Sequence, residues 1–415
     1  MRAGANFQTA RDRALPPLAE RDRRLAYELA AGVLRRRAQL DRSLSLDTVD
    51  PRLHDILRLG AYQLRALTRV PPYAAVSTSV ELAREIAGEG GARYVNQALR
   101  KLTGVRDPVS GVRGSHPAWL ARRWTRRFGE ADAARLMAWN DTKPALILQP
   151  ARWEADILVQ RLREAGVGVT DAPFGAGVRV TRTPGTGHLT LRDLPGFTEG
   201  AFIVQDPAHA LLCRYAGIPR GTTVYDACAA PGGKAAMLER GGAHVVAGDA
   251  RRERLGVLRE TAGRAGVAIR IAVADLLSAP FRPRAFPAVL VDAPCSATGT
   301  IARHPDARWR LKPQTIVRAA ARQRALLAAA AELVQPGGLL VYATCSLEPE
   351  ENGDIVTEFL ARHNDFVRAP GAKAGAGVGA GAVPDTLLTT DGDFQTLPQR
   401  HGTDGAYAAR LMRAT

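Results

Sequence analysis

At 415 residues the chain is long enough for two or three domains, each with its own core. Its 57 basic residues outnumber 41 acidic ones, giving a formal charge of +16, with the basic residues in dispersed local clusters; a polyanionic partner is the expected reading. No stretch reaches the ~18 consecutive apolar residues of a membrane span, and residues 1–17 lack the apolar core of a signal peptide, so no membrane association and a cytoplasmic location are expected. The four cysteines, Cys213, Cys228, Cys295 and Cys345, are too few for a disulfide scaffold and form no C-x-x-C pair, so they read as reduced thiols with no metal site.

Residues 15 to about 102 carry helical periods only. Leu25, Leu29 and Val33 share one period, and Ile56, Leu59, Leu64 and Leu67 share the next. Pro71-Pro72 interrupts the pattern. Thr78 with Glu81 reads as a capping box opening a helix that carries Val80, Ala83 and Ile86, and a further helix over 94–102 follows a break at Gly90-Gly91. The sum is a small helical bundle. Residues 104–114 are rich in Gly, Pro and Ser and read as a linker at a domain boundary.

Over 116–129 the chain interleaves Trp119, Trp124 and Phe128 with Arg122, Arg123, Arg126 and Arg127. Guanidinium groups meet phosphates and rings stack on bases, so the pattern suits RNA. An amphipathic helix that buries its tryptophans fits equally well, and the arginines carry the RNA reading. From 144 to about 202 the pattern becomes α+β, with strands over 145–148, 178–181 and 203–205 and a helix over 156–165. His188 and His209 have no partners at ligand spacing and read as structural or solvated.

The stretch 222–234, TTVYDACAAPGGK, joins a β-branched strand to a Pro231-Gly232-Gly233 turn and a helix over 234–240. Such a turn aims free amides at an anion at a helix N-terminus. A P-loop is excluded, since Cys228 and Ala235 stand where it needs glycine and Ser or Thr, and the G-x-G-x-x-G fingerprint is absent. Strands over 243–248, 269–273, 288–291 and 339–343 then alternate with helices, the pattern of a parallel sheet covered on both faces. Asp226, Asp249, Asp275 and Asp292 fall at strand ends. One such acid is ordinarily a helix cap, but four around one glycine turn read as a ligand site, with an acid after the second strand suited to a ribose diol. A long helix turns Ile316, Leu326, Leu327, Leu333 and Val334 toward the sheet and ends at Gly337-Gly338. The Gly- and Ala-rich stretch 370–384 reads as a mobile surface loop.

Three motifs, DACAAPGGK at 226–234, DAPCSATG at 292–299 and ATCSLEPEEN at 343–352, resemble in order and spacing the signatures of S-adenosylmethionine-dependent RNA cytosine-5 methyltransferases. The front of the chain resembles NusB through 23–35, LGAYQL at 59–64 and VNQALR at 95–100. The resemblance implies a multidomain protein: an all-α NusB-like RNA-binding bundle at 1–110, linker helices with a small α+β RNA-binding subdomain at 111–200, and an α/β Rossmann-like methyltransferase domain at 201–415. The family has a further helix ahead of the segment that opens this chain, so the bundle is either one helix short or starts upstream. The closing strand at 404–413 carries Ala406 and Tyr407 in place of the family's paired aromatics.

The resemblance also implies the chemistry. Cytosine C5 is a poor nucleophile until a thiolate adds at C6, and a free thiol with a pKa near ~8.5 needs help to ionise. Cys345 is then the nucleophile, Cys295 assists elimination of the product, Asp292 bonds the cytosine edge and Lys234 orients groups beside it. S-adenosylmethionine is expected on Cys228, Ala229, Ala230, Pro231, Gly232, Gly233, Lys234, Asp249, Asp275 and Asp292. The implied partner is 16S ribosomal RNA or a small-subunit assembly intermediate, bound by a monomer; transfer RNA, or a non-catalytic RNA-binding assembly factor, are the alternatives. Arg303, His304, Arg308 and Trp309 match the family's RNA-facing loop, and Cys213 reads as a packing residue.

Overall fold

The computed structural model describes residues 7–104, 115–181, 190–369 and 383–415. Most of the linker expected at 104–114, His188 and most of the Gly- and Ala-rich stretch at 370–384 lie outside these residues. The chain forms two compact units, Met1–Lys143 with Ile301–Leu311, and Pro144–Thr300 with Lys312–Thr415.

The first unit is helical: α1 (Phe7–Ala14), α2 (Glu20–Leu44), α3 (His54–Ala66), α4 (Pro72–Arg100) and α5 (Ala118–Asn140). Its core takes Leu40 and Leu44 from α2, Ile56, Leu57 and Ala61 from α3, and Ala83, Val95 and Leu99 from α4. The expected capping box does not form. Pro72 opens α4, because a first-turn proline forfeits only an amide that has no helical partner anyway. Thr78 is therefore inside the helix, where its hydroxyl donates back to Ala74 O at 2.8 Å. The break expected at Gly90-Gly91 falls instead at Gly88, which takes φ 69°. In α5, Trp124 is fully buried, its ring edge-on to His116 at 5.4 Å, while Arg122 and Arg126 face solvent.

The short stretch Ile301–Leu311 corrects one expectation. Arg308 is fully buried in the helical unit, donating to the Asp141 carboxylate, to Ser115 O at 3.2 Å and to Asn140 O at 2.6 Å. Trp309 donates from its indole to Leu34 O at 2.7 Å beneath the Arg37 guanidinium. The Arg308 side chain is not free to meet RNA, because its guanidinium found acceptors inside the fold. Of the four residues, Arg303, His304 and Trp309 retain exposure.

The second unit begins with a four-stranded antiparallel sheet of β1 (Leu146–Pro150), β2 (Gly168–Asp171), β3 (Val178–Thr181) and β4 (Phe202–Val204), in the order β2-β3-β1-β4. Helix α6 (Ala155–Glu164) lays Leu158 and Leu162 against Leu148 and Phe202. Strand β2 escapes the sequence reading because it is a half-exposed edge of four residues beginning in glycine.

The large sheet holds β5 (Thr223–Asp226), β6 (His244–Asp249), β7 (Arg270–Val273), β8 (Phe286–Asp292), β9 (Val334–Thr344), β10 (Phe366–Arg368), β11 (Phe394–Thr396) and β12 (Ala406–Arg413). Its order is β10-β12-β9-β8-β5-β6-β7, with β11 beside β12. Strands β5 to β9 run parallel, and β12 returns antiparallel along β9, so the sheet is mixed rather than wholly parallel. Alternation along the strands covers both faces. Val224, Val245, Leu290 and Val341 pack under α7 (Pro207–Ala216) and α8 (Gly233–Arg240), whereas Tyr225, Val289, Val291 and Tyr342 pack under the helix Pro313–Leu333. Strand order reverses where β5 lies between β6 and β8, which places a crevice at the carboxyl ends of these strands.

Replacing Arg308 with Ala leaves Asp141 uncompensated inside the helical unit. The substitution is expected to cost about 3–5 kcal/mol in urea unfolding. Unfolding midpoints within error of the parent would show that the buried Arg308–Asp141 pair does not hold the helical unit together.

Candidate active site

Strand β5 ends at Asp226, and the chain crosses the glycine turn into α8. Gly232 adopts φ 102°, and a Cβ there would meet Leu258 Cγ and Cα at 3.2 and 3.3 Å, so backbone handedness and space both call for glycine. The amides of the first turn of α8 have no helical partners.

Asp226 is fully buried and neither of its oxygens reaches a hydrogen-bond partner. Burial, with a smaller contribution from the charge of Asp292, pushes its carboxyl up to about 7, against the opposing charge of Lys234. Asp249, at the end of β6, accepts from Arg251 N at 2.9 Å and from Arg254 Nη1 at 3.0 Å. Arg254 also donates to Ala230 O, tying the second strand end to the glycine turn. Asp275 is exposed at the end of β7 and accepts from Leu277 N at 3.1 Å, so at this position the capping role is realised. The Cys228 thiol is pushed up to about 12 by burial and nearby carboxylates and stays neutral, as does Cys213, which is wholly buried.

Lys234 points back from α8 to the end of β8, its Nζ 2.5 Å from Asp292 Oδ2. Burial alone would lower the ammonium, but the charge and hydrogen bond of Asp292 outweigh it and the net shift is upward, so Lys234 keeps its proton. His209 on α7 places Nδ1 3.3 Å from Lys234 Nζ, where it accepts from the ammonium. His209 thus has the structural role read for it, and its partner lies across the fold, at no recognisable sequence spacing.

Cys295 follows β8 and Cys345 follows β9. These strands are paired in parallel, with Asp292 opposite Ala343, which carries the two thiols to one place from fifty residues apart. Their Sγ atoms are 3.1 Å apart. The Cys295 thiol is held well above its ordinary range, first by its hydrogen bond to Cys345 and then by burial. Either thiol can donate to the other across this contact. Among the described residues no cluster of His, Cys, Asp and Glu could hold a metal, and no helix is long and apolar enough to cross a membrane.

The model described as 16S rRNA methyltransferase RsmB/F matches residues 218–412, and the NusB family model matches residues 3–103. A probable ribosomal RNA small subunit methyltransferase B of Synechocystis is 35% identical, covering 97% of this chain and 94% of its own. The enzyme of that name from Xylella fastidiosa is 35% identical across 99% of this chain and 96% of its own. This chain belongs to the ribosomal RNA small subunit methyltransferase B family. Among solved structures, PH0851 superposes with a TM-score of 0.76 at 25% identity, covering 95% of this chain and 90% of that one. NSun6 from Pyrococcus horikoshii, solved with SFG, shares the fold at a TM-score of 0.59 and 19% identity, covering 72% of this chain and 98% of that one. The chain is thus a methyltransferase, built as a NusB-like helical domain, an α+β subdomain and a Rossmann-like sheet.

A carboxyl whose folded pKa lies above its unfolded value binds more protons in the native state, so its contribution to stability falls as pH rises between about 4 and 7. Asp226→Asn is expected to remove this loss and to stabilise the ligand-free protein at pH 8, relative to the parent, by on the order of 3 kcal/mol. Parallel melting-temperature profiles for the two proteins across that range would show that Asp226 is not buried as a free acid.

Proposed function

We propose that the chain methylates C5 of a cytosine in 16S ribosomal RNA, through a covalent bond between Cys345 Sγ and cytosine C6. The observation that carries this reading is the pair of thiols at the ends of two adjacent parallel strands, 3.1 Å apart and next to the Lys234–Asp292 ion pair. A lone buried cysteine is ordinary packing, whereas two at one crevice with a charged pair supply a nucleophile, a proton carrier and a base-edge acceptor.

Cys345 attacks C6 as its thiolate, and the proton it gives up is matched by one taken up at cytosine N3. Addition there makes C5 enamine-like. S-adenosylmethionine supplies the methyl group. Asp292, held in place by Lys234, bonds the cytosine edge and favours its protonated adduct. A Cys295 thiolate then takes the C5 proton, and the C6–S bond breaks with its electron pair returning to Cys345.

The donor fits the crevice. The amides at the start of α8 suit a carboxylate, the unpartnered oxygens of Asp226 suit an ammonium, and Asp249 suits a ribose diol. For the substrate, the relatives named above span nearly the whole of this chain, NusB-like part included, and are named for small-subunit ribosomal RNA. The excess of basic residues and the solvent-facing Arg122 and Arg126 of α5 agree with an RNA partner.

Incubation with RNA and S-adenosylmethionine, followed by a denaturing gel, separates the two cysteines. Cys345→Ala is expected to abolish methylation while cofactor binding survives. Cys295→Ala should stall after transfer and leave a slow, nuclease-sensitive protein band that disappears in the Cys295→Ala, Cys345→Ala double variant. A band that needs Cys295 and persists without Cys345 would exchange the roles, and full turnover by both single variants would end the covalent mechanism.

A further inference from the structure

Glu351 is a wholly buried carboxylate with no part in the chemistry above. Its Oε2 accepts from Ser296 N at 2.8 Å and from Gln323 Nε2 at 3.0 Å, and its Oε1 accepts from Ser346 Oγ at 2.9 Å. Ser296 is the residue after Cys295, and Ser346 is the residue after Cys345. One side chain therefore grips both cysteine-bearing loops at corresponding points.

The remaining bonds reinforce the same junction. Ser296 Oγ and Ser346 Oγ are 3.2 Å apart, Gly299 N donates to Cys345 O at 3.0 Å, and Gln323 also donates to Pro294 O at 3.0 Å on the other side of Cys295. An unpaired buried carboxylate would be costly, and here three donors meet it, two of them from the loops whose separation matters. Strand pairing brings the loops near one another but ends at Asp292 and Thr344, short of both cysteines. Beyond those ends the thiol gap depends on loop conformation.

We propose that Glu351 is a positioning residue whose carboxylate bolts the two loops together and so fixes the distance between Cys295 and Cys345. In its catalytic consequence the proposal rests on the two-cysteine reading given above; in its geometry it does not. A leucine at 351 fills the space but accepts nothing. A glutamine retains an acceptor for Ser296 N–H and turns its amide toward Ser346 Oγ, which can accept as well as donate.

The geometric test is oxidation of the full-length protein by diamide, which takes two hydrogens from the thiol pair as the Cys295–Cys345 disulfide forms and is itself reduced to the hydrazine. Peptide mapping follows the bond. Glu351→Leu is expected to form it about tenfold more slowly than the parent, with Glu351→Gln close to the parent rate and cofactor affinity unchanged in both. In RNA turnover Glu351→Leu should fall about 100-fold and accumulate the nuclease-sensitive band, since a misplaced Cys295 cannot assist elimination. If Glu351→Leu does not fold, Ser346→Ala, which removes one arm of the junction, should slow disulfide formation in the same direction. Parent-like oxidation rates in the variants that fold would overturn the bolt whatever the RNA assays show. Slowed oxidation in an enzyme for which neither cysteine proves necessary would keep the bolt and remove the two-cysteine reading.

Discussion

The site depends on the parallel pairing of β8 with β9. Hydrogen bonding that sets Asp292 opposite Ala343 brings Asp292, Cys295 and Cys345 to one end of the sheet, where the pairing of β5 with β8 also places Lys234, although the chain between the cysteines includes a long helix and a segment that packs in the other unit. Period-2 alternation makes this register strict. Val289, Val291, Leu340 and Tyr342 face one core and Leu290 and Val341 the other, so a slip of one residue would turn every one of them to the wrong face. The apolar core thus fixes the geometry of polar chemistry at its rim.

Buried charge is handled differently at each point, and the differences follow function. Arg308 is matched by a carboxylate and two carbonyls and serves packing. Lys234 and Asp292 match one another at the edge of the crevice, with His209 behind them. Glu351 is matched by neutral donors from two loops. Asp226 alone among these has no partner on either oxygen. Native interiors seldom tolerate such a group, and its place beneath the glycine turn makes a cationic ligand group the natural complement.

Much of this was legible in the sequence because it rests on local rules. The β-branched run before Pro231-Gly232-Gly233, the strand-end acids and the period of the helix Pro313–Leu333 follow from backbone and hydrophobic pattern alone. What escaped was long-range. His209 meets Lys234 across 25 residues, and Glu351 meets Ser296 across 55, with no spacing to announce either. Arg308 misled for the same reason: an arginine in a loop looks solvent-facing until the fold supplies three acceptors. Thr78 and Glu81 had the spelling of a capping box, but Pro72 had already started the helix, and a proline at a first turn outranks a hydroxyl further along.

The central claim is that this fold methylates C5 of one cytosine in small-subunit ribosomal RNA. Bisulfite sequencing of that RNA from a strain lacking the gene, beside its parent, reads the product directly. The account predicts one cytosine that resists conversion in the parent, converts fully in the deletion strain, and is protected again by the intact gene but not by one encoding Cys345→Ala. Identical conversion at every cytosine in parent and deletion strain would contradict it.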